Sequence, residues 1–552
     1  MARQRWGSQL GVVLAVAGSA VGLGNFLRFP GMAAKNGGGA FMVPYFAALF
    51  LLGLPLMWIE WTIGRFGGGF GHSTAPGIFH TLWRKNRFIK YFGVIGIFGP
   101  IVIFAYYVYI ESWLLGYAWF ALTGAYESCA DWASMQAFLN GYRGLVQNEH
   151  FSGGAAAYGF FVATFLANVA IVYLGIRRGI ETICKVGLPL LMALGLVLMA
   201  RVFTLGVLDP ARPDWNVLNG LGFLWNPDWS ALGKPQVWLA AAGQTFFTLS
   251  VGIGVILTYA SYLTPRQDVA LSGLTAASAN EFAEVILGGS LVIPAAFVFL
   301  GQAGTDQVVR STSSTFDLAC VTMPLVLRQV AGANLFGFLW FALLFIAGLT
   351  SSISLMQPAI AFLEDEFGLQ RRSAILLFGL VTFLMCQTCI FGLGHGTLDE
   401  FDFWGGQFCL VLFGTVEVIL FGWVFGVDEA WGLLHVASNI TIPRFYRFII
   451  KYVTPAILLA ILGGWLWQSG VGVLLLKQAA DGSGPLAEAD KPYILMARRD
   501  MLALFGLLAL LVYLVWRRRA RTEAEAGATP ETPAAQAPQA PPETSQAEGG
   551  RP

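Results

Sequence analysis

Ala20-Val21-Gly22-Leu23-Gly24-Asn25 and Leu249-Ser250-Val251-Gly252-Ile253-Gly254 lie in the middle of two long apolar stretches, and each carries a Gly-x-Gly. A glycine lowers helix preference by roughly 1 kcal/mol relative to alanine, so winding is weakest where a bilayer would be deepest. Peptide groups without helical partners at that depth are tolerated only where they line a cavity or are buried in protein. Paired interruptions at corresponding places in two halves of a chain therefore point to a binding site between them. Close helix packing is the competing explanation, because Gly18-x-x-x-Gly22 also reads as a small-residue seam. Spacing alone leaves both open.

The rest of the chain supplies the bilayer. Of 552 residues, 56% are hydrophobic and 12% charged, and mean hydropathy is +0.65, too apolar for the water-facing surface of a soluble protein this large. About 20 mainly apolar residues cross a bilayer core, and the sequence predicts twelve such spans, beginning near residues 9, 39, 88, 157, 182, 236, 270, 332, 371, 398, 446 and 498. Basic residues gather in alternate loops and at both ends: Arg3 and Arg5, Arg65, Arg84 to Lys90, Arg177 to Lys185, Arg266, Arg371 with Arg372, Arg444 with Arg447, and Arg517 to Arg521. The opposite loops carry acids such as Glu127, Asp131, Asp209, Asp214, Asp306 and Asp317. By the positive-inside rule both termini are expected in the cytoplasm. The first span follows basic residues as a signal peptide would, but it continues through Arg28 without an evident cleavage site and reads as retained. Residues 519–552 are expected to form a disordered cytoplasmic tail, since from 522 on they are mostly Ala, Pro, Glu and Gln.

Other classes are disfavoured. A net charge of +1 suggests no nucleic-acid partner. Six scattered cysteines and five scattered histidines show no metal-ligand spacing, and Cys386-x-x-Cys389 sits inside an apolar run. No nucleophile and base with recognised spacing suggests an enzyme, and no organic cofactor is implied. The Gly67–Gly71 cluster lacks a P-loop ending, and Asn439-Ile440-Thr441 is a glycosylation triplet expected on the cytoplasmic side. What remains is polar chemistry beside the breaks. Asn25, Thr248, Asn280 and Thr350-Ser351-Ser352 offer neutral oxygens suited to a hard monovalent cation, although such residues also bond between membrane helices. Mid-span acids cost about 2.5 to 3.5 kcal/mol on insertion scales and are functional suspects. Here they are Glu60, Glu111 and Glu284, the first two of which also fit a satisfied structural role.

Ala20 to Pro30 with Asn36-Gly37-Gly38-Gly39-Ala40-Phe41 strongly resembles the neurotransmitter:sodium symporter family. Pro55 to Trp61, Tyr106 to Tyr109, Phe246 to Ser250, Ser272 to Thr275 and Gly348 to Ser352 extend the likeness over essentially residues 3–520. It is nearest to the prokaryotic leucine-transporter branch. The resemblance implies an all-α polytopic membrane protein of twelve transmembrane helices with the LeuT-type 5+5 inverted repeat. Spans 1–5 (residues 9–205) and 6–10 (236–425) would form the repeats, with spans 1 and 6 unwound and spans 11 and 12 (446–518) appended after them. Residues 1–8 would be a cytoplasmic segment.

The same resemblance implies a sodium-coupled symporter importing a neutral hydrophobic L-amino acid, leucine-like or larger, across a bacterial cytoplasmic membrane. One Na+ would be held by Ala20, Asn25, Thr248 and Asn280, its shell completed by the substrate carboxylate. A second would be held by Gly18, Val21, Ala347, Thr350 and Ser351. The zwitterion would contact Ala20, Leu23, Gly24, Tyr107, Phe247, Thr248 and Ser250, and its side chain would meet Ser19, Ile103, Ile253, Ser351 and Leu355 as well as Tyr107, Phe247 and Ser250. Ile253 and Ser19 replace a phenylalanine and an asparagine of the leucine-transporting branch, which puts leucine itself in doubt. Arg28 and Asp402, with Tyr107 and Phe247, resemble an extracellular gate; Arg3 and Asp365, with Trp6, Ser261, Tyr262 and Gln357, a cytoplasmic one. Glu284 stands where chloride-dependent relatives have a small neutral residue, which implies chloride independence. A sodium-regulated sensor or channel is the alternative, and the sequence leaves monomer and homodimer open.

Overall fold

A computed structural model describes residues 5–207, 210–226, 229–311, 318–480 and 484–525. Arg3, Asp209, Asp317 and the tail beyond 525 lie outside the described residues. Among the described residues, ten helices are long and apolar enough to cross a membrane, and a further pair, Gln9–Ala20 and Gly24–Lys35, forms one span bent by 43°. Span 6 is the pair Pro235–Thr248 and Val255–Ser261. These make up the expected twelve. Spans 2 to 5 are Gly39–Gly69, Ile89–Thr123, Ala155–Tyr173 and Ile176–Phe203; spans 7 to 10 are Ala270–Phe299, Ala333–Phe367, Arg371–Phe391 and Thr397–Leu434; spans 11 and 12 are Phe445–Leu474 and Lys491–Arg521.

Exchanging each span for the one five places later maps packing onto packing. The first half of span 6 lies on span 2 as the first half of span 1 lies on span 7. The second halves repeat the relation, and spans 3 and 8 run against each other. Such exchange is what a 5+5 repeat requires, and it sets the two broken helices side by side.

Three boundaries differ from the sequence reading. Span 12 starts at Lys491 rather than near 498, because Arg498 is not a membrane-edge residue: its Nε donates to the buried Glu400 of span 10 at 2.5 Å. Span 5 starts at Ile176 rather than near 182, whereas span 10 leaves helical geometry at Gly426 (φ 101°), next to the expected 425, and the short helix Val427–Leu434 follows it. The last helix runs to Glu525, so residues 519–525 are not tail. Arg519 there bonds Glu366 at 2.6 Å and lies over the Trp516 ring, which holds that turn against the end of span 8.

The two breaks are built differently from the same Gly-x-Gly. In span 6, Ser250, Gly252 and Gly254 have φ of 53°, 76° and 82°, a left-handed region that suits glycine. A side chain at Gly252 would collide with the Leu410 carbonyl. Gly22 and Gly24 have no such φ; there the missing side chain makes room. A Cβ on Gly22 would stand 2.7 Å from Ser351 Oγ, and one on Gly24 2.7 Å from the Phe247 ring. Packing and unwinding, open alternatives in the sequence, hold together in span 1.

Candidate functional site

Between the breaks lies a buried cavity of about 40 Å³. Every residue expected to face substrate lines it: Ser19, Ala20, Leu23, Gly24, Ile103, Tyr107, Phe247, Thr248, Ser250, Ile253, Ser351 and Leu355. Gly22 and Asn25 join them, as do Gly406 and Leu410 of span 10, which the sequence reading missed. Neither span 10 residue carries a polar signal, and only folding brings that helix to the cavity.

Helix ends give the cavity its electrostatics. The half-helix Gly24–Lys35 begins at its wall with a positive dipole end, while the half-helices ending at Ala20 and Thr248 present carbonyls. The Tyr107 hydroxyl accepts from the Leu23 N–H at 3.3 Å. Ser250 and Ser351 hydroxyls donate to the Ser19 carbonyl at 3.0 and 3.1 Å. Both ends of a zwitterion thus have partners of opposite sign, which burial of charge demands. The walls at Ile103, Ile253 and Leu355 are apolar.

Two groups of oxygens flank the cavity. In the first, Asn25 Nδ2 donates to Asn280 Oδ1 at 2.8 Å, and Asn280 Nδ2 to Thr248 Oγ1 at 3.0 Å. In that orientation the same Asn280 oxygen lies 3.1 Å from the Ala20 carbonyl oxygen and 3.3 Å from that of Thr248. All the residues expected at the first sodium therefore converge, with donor groups that suit a hard monovalent cation. In the second, Ser351 Oγ lies 3.5 Å from the Gly18 carbonyl and 3.1 Å from that of Ala347, and Thr350 Oγ1 lies 3.2 Å from Ala347 O. Val21 ends the first half-helix there, at φ −73° and ψ 86°.

The mid-span acids separate into three roles. Glu284 accepts from Gln244 at 2.6 Å, from Thr248 and, at 3.3 Å, from Asn280, so its carboxyl backs the first oxygen group. Glu60 accepts the Gly252 N–H at 2.5 Å and thereby serves a peptide group freed by the break in span 6. Glu111 is bound by Asn168, which Ser352 bonds in turn, so its carboxyl is satisfied by a buried side-chain triad.

The expected gates are partly assembled. Arg28 lies 4.2 Å over the centre of the Phe247 ring, and Tyr107 is buried beneath. Asp402 instead accepts from Tyr106 at 2.5 Å and Gln407 at 2.8 Å, and among the described residues it forms no ion pair with Arg28. On the opposite face, Trp6 donates to Tyr259 O at 3.0 Å, Gln357 to the Tyr262 hydroxyl at 3.0 Å, and Ser261 to Thr258 O at 2.6 Å. Asp365 is near enough for its charge to act on the Tyr262 hydroxyl, and its expected partner Arg3 is outside the described residues.

The chain as a whole is similar to known membrane transporters. The profile described as the Sodium:neurotransmitter symporter family matches residues 3–152 and 150–469. An uncharacterised sodium-dependent transporter of Methanocaldococcus jannaschii is 31% identical over 84% of this chain and 90% of its own. A sodium-dependent nutrient amino acid transporter of Drosophila virilis is 26% identical over 83% and 76%. Among solved structures, MhsT in complex with L-phenylalanine aligns with a TM-score of 0.71 and 28% identity, over 83% of this chain and 99% of that one.

Proposed function

This chain belongs to the sodium:neurotransmitter symporter family, whose members here are sodium-dependent membrane transporters rather than enzymes, and on that premise we propose that it imports a neutral hydrophobic L-amino acid together with two sodium ions. The observation that carries the reading is the cavity between the broken spans, which has opposed helix ends for a zwitterion and apolar walls for its side chain. The phenylalanine bound by MhsT supports a large hydrophobic substrate, and so does Ile253, where the leucine-transporting branch has a bulkier ring. The first ion sits at Ala20, Asn25, Thr248 and Asn280 and shares the substrate carboxylate, so each ligand raises affinity for the other. The second sits at Gly18, Val21, Ala347, Thr350 and Ser351 and touches no substrate atom.

Transport follows from two states with different affinities. Sodium orders the outward-facing form, substrate completes the first ion's shell and closes Tyr107 and Phe247, and loss of the second ion opens the inside. In that cycle Arg28 and Asp402 approach above the lid, while Trp6, Ser261, Tyr262, Gln357, Asp365 and Arg3 release below. One charge crossing 100 mV yields about 2.3 kcal/mol, so two ions supply roughly 4.6 kcal/mol before any concentration gradient. At about 1.4 kcal/mol per decade this sustains roughly a thousandfold gradient. Glu284 provides the fixed negative charge beside the first ion, making chloride dispensable. We place the chain in a bacterial cytoplasmic membrane with both termini inside. The test is uptake of all twenty amino acids into proteoliposomes with inward sodium, potassium, or sodium gluconate gradients. Uphill uptake of hydrophobic amino acids in sodium with or without chloride is expected; chloride-dependent uptake, or uptake in potassium equal to that in sodium, would overturn it.

A further inference from the structure

Among the described residues, one charged group ties the N-terminal end of the first half of span 1 to the rest of the protein, and that group comes from span 5. Glu181, 1% exposed, accepts the Gly7 N–H on Oε2 at 2.8 Å and the Ser8 hydroxyl on Oε1 at 3.3 Å. Ser8 is itself the N-cap, accepting from the Gly11 N–H at 3.0 Å. The carboxylate thus stands at the positive end of the half-helix Gln9–Ala20. Lys185, one turn along span 5, holds its Oε1 from the other side at 2.6 Å. The fit is close on the span 1 side, because a Cβ at Gly11 would land on the Glu181 carboxylate. The remaining polar ties of this end are neutral: Trp6 to Tyr259 O, and Gln9 to Asp268 O and Ser272 Oγ at 3.2 and 3.0 Å.

Deeper along the same seam, a Cβ at Gly18 would stand 3.3 Å from the Cys184 sulfur, and Gly18 is where the second ion is proposed to sit. Spans 1 and 5 therefore form a closed wall between that ion and the face from which the termini emerge. The break at Val21 and Gly22 is the hinge about which the half-helix can part from span 5. Parting must undo the Glu181 bonds.

We propose that Glu181 is an inner latch, a positioning residue that holds the first half of span 1 against span 5 and sets how readily the cavity opens toward the termini face. The inference rests on the second-ion reading only for what the opening releases; the latch itself is read without sodium. Cys184, a buried free thiol on the seam, is the reporter. In a full-length background with Cys129, Cys320, Cys386, Cys389 and Cys409 replaced by alanine, Cys184 alkylation by N-ethylmaleimide is timed in potassium and in sodium. Glu181→Gln should react about tenfold faster than its parent in potassium, the scale of losing charge-assisted hydrogen bonds. Gly11→Ala, which displaces the carboxylate without removing it, should accelerate labelling likewise, and supplies the same reading if Glu181→Gln does not accumulate. Lys185→Arg, which keeps a positive partner for the carboxylate and leaves the bonds to Gly7 and Ser8 in place, should stay within about twofold of the parent. Labelling of Glu181→Gln or Gly11→Ala at the parent's rate, or equal acceleration by Lys185→Arg, overturns the latch. If sodium fails to slow labelling of the parent, the second-ion reading falls and the latch, judged in potassium, stands.

Discussion

Replacing Tyr107 by phenylalanine removes one oxygen from the cavity and leaves the rest of its wall in place. The ring is 7% exposed, so packing holds the phenylalanine where the tyrosine stood. The lost hydroxyl lies 3.3 Å from the Leu23 N–H, at the positive end of a half-helix, where the proposed substrate carboxylate binds. A hydrogen bond to a charged group contributes about 1.5 to 3 kcal/mol, which corresponds to roughly 12- to 160-fold in affinity. The variant's dissociation constant for L-phenylalanine or L-leucine in saturating sodium should therefore rise by one to two orders of magnitude. Thermal stability without substrate should change little, because only one hydroxyl partner is lost. Equilibrium binding by scintillation proximity, paired with a melting curve, reads both. A dissociation constant within twofold of wild type would show that the carboxylate is not held by Tyr107 and would refute the placement of the zwitterion.

Glu284→Ser should make sodium-driven uptake depend on chloride, since a mobile anion then supplies the charge that the carboxyl now places beside Thr248 and Asn280; chloride titration of uptake checks it. Gly252→Ala should lower both melting temperature and transport: φ of 76° alone costs roughly 1 to 2 kcal/mol for an L side chain, and the new methyl group meets the Leu410 carbonyl. Ile253→Phe should narrow the range of accepted side chains, with the largest substrates losing affinity about 10- to 200-fold in competition binding. Between spans 2 and 3, burial, reinforced by Lys90, His72, Arg84 and Arg519, pushes His80 down to about 4, against about 6.5 when unfolded. The folded state thus favours neutral imidazole; this contribution is complete above about 6.5 and is lost as the pH falls through that interval toward 4. Melting curves of wild type and His80→Gln from pH 7 to 4 should converge as acid is added.

The spans were legible because apolar runs and basic loops report burial in lipid residue by residue, and all but two of the starts lie within a few residues of where the sequence puts them. Of the two exceptions, spans 5 and 12, the second misled because Arg498 resembles a membrane-edge charge until Glu400 is seen beside it. Cavity residues on spans 1, 3, 6 and 8 could be named from motifs with the chemistry of a site; Gly406 and Leu410 could not, being apolar members of an apolar helix.

By itself the sequence determined that the chain lives in lipid, that it crosses about twelve times, and that helical winding fails once in each half, because hydropathy and glycine content act locally along the chain. The form each break takes depends instead on the elements folded against it. Identical Gly-x-Gly elements become a left-handed turn in span 6 and a close-approach seam in span 1, according to what packs on them. Glu60 becomes a partner for a freed peptide and Glu181 a clasp on span 1, while Asp402 turns to Tyr106 rather than Arg28. A buried polar group acquires its role from the neighbour that satisfies it, and that neighbour lies tens to hundreds of residues away in the chain.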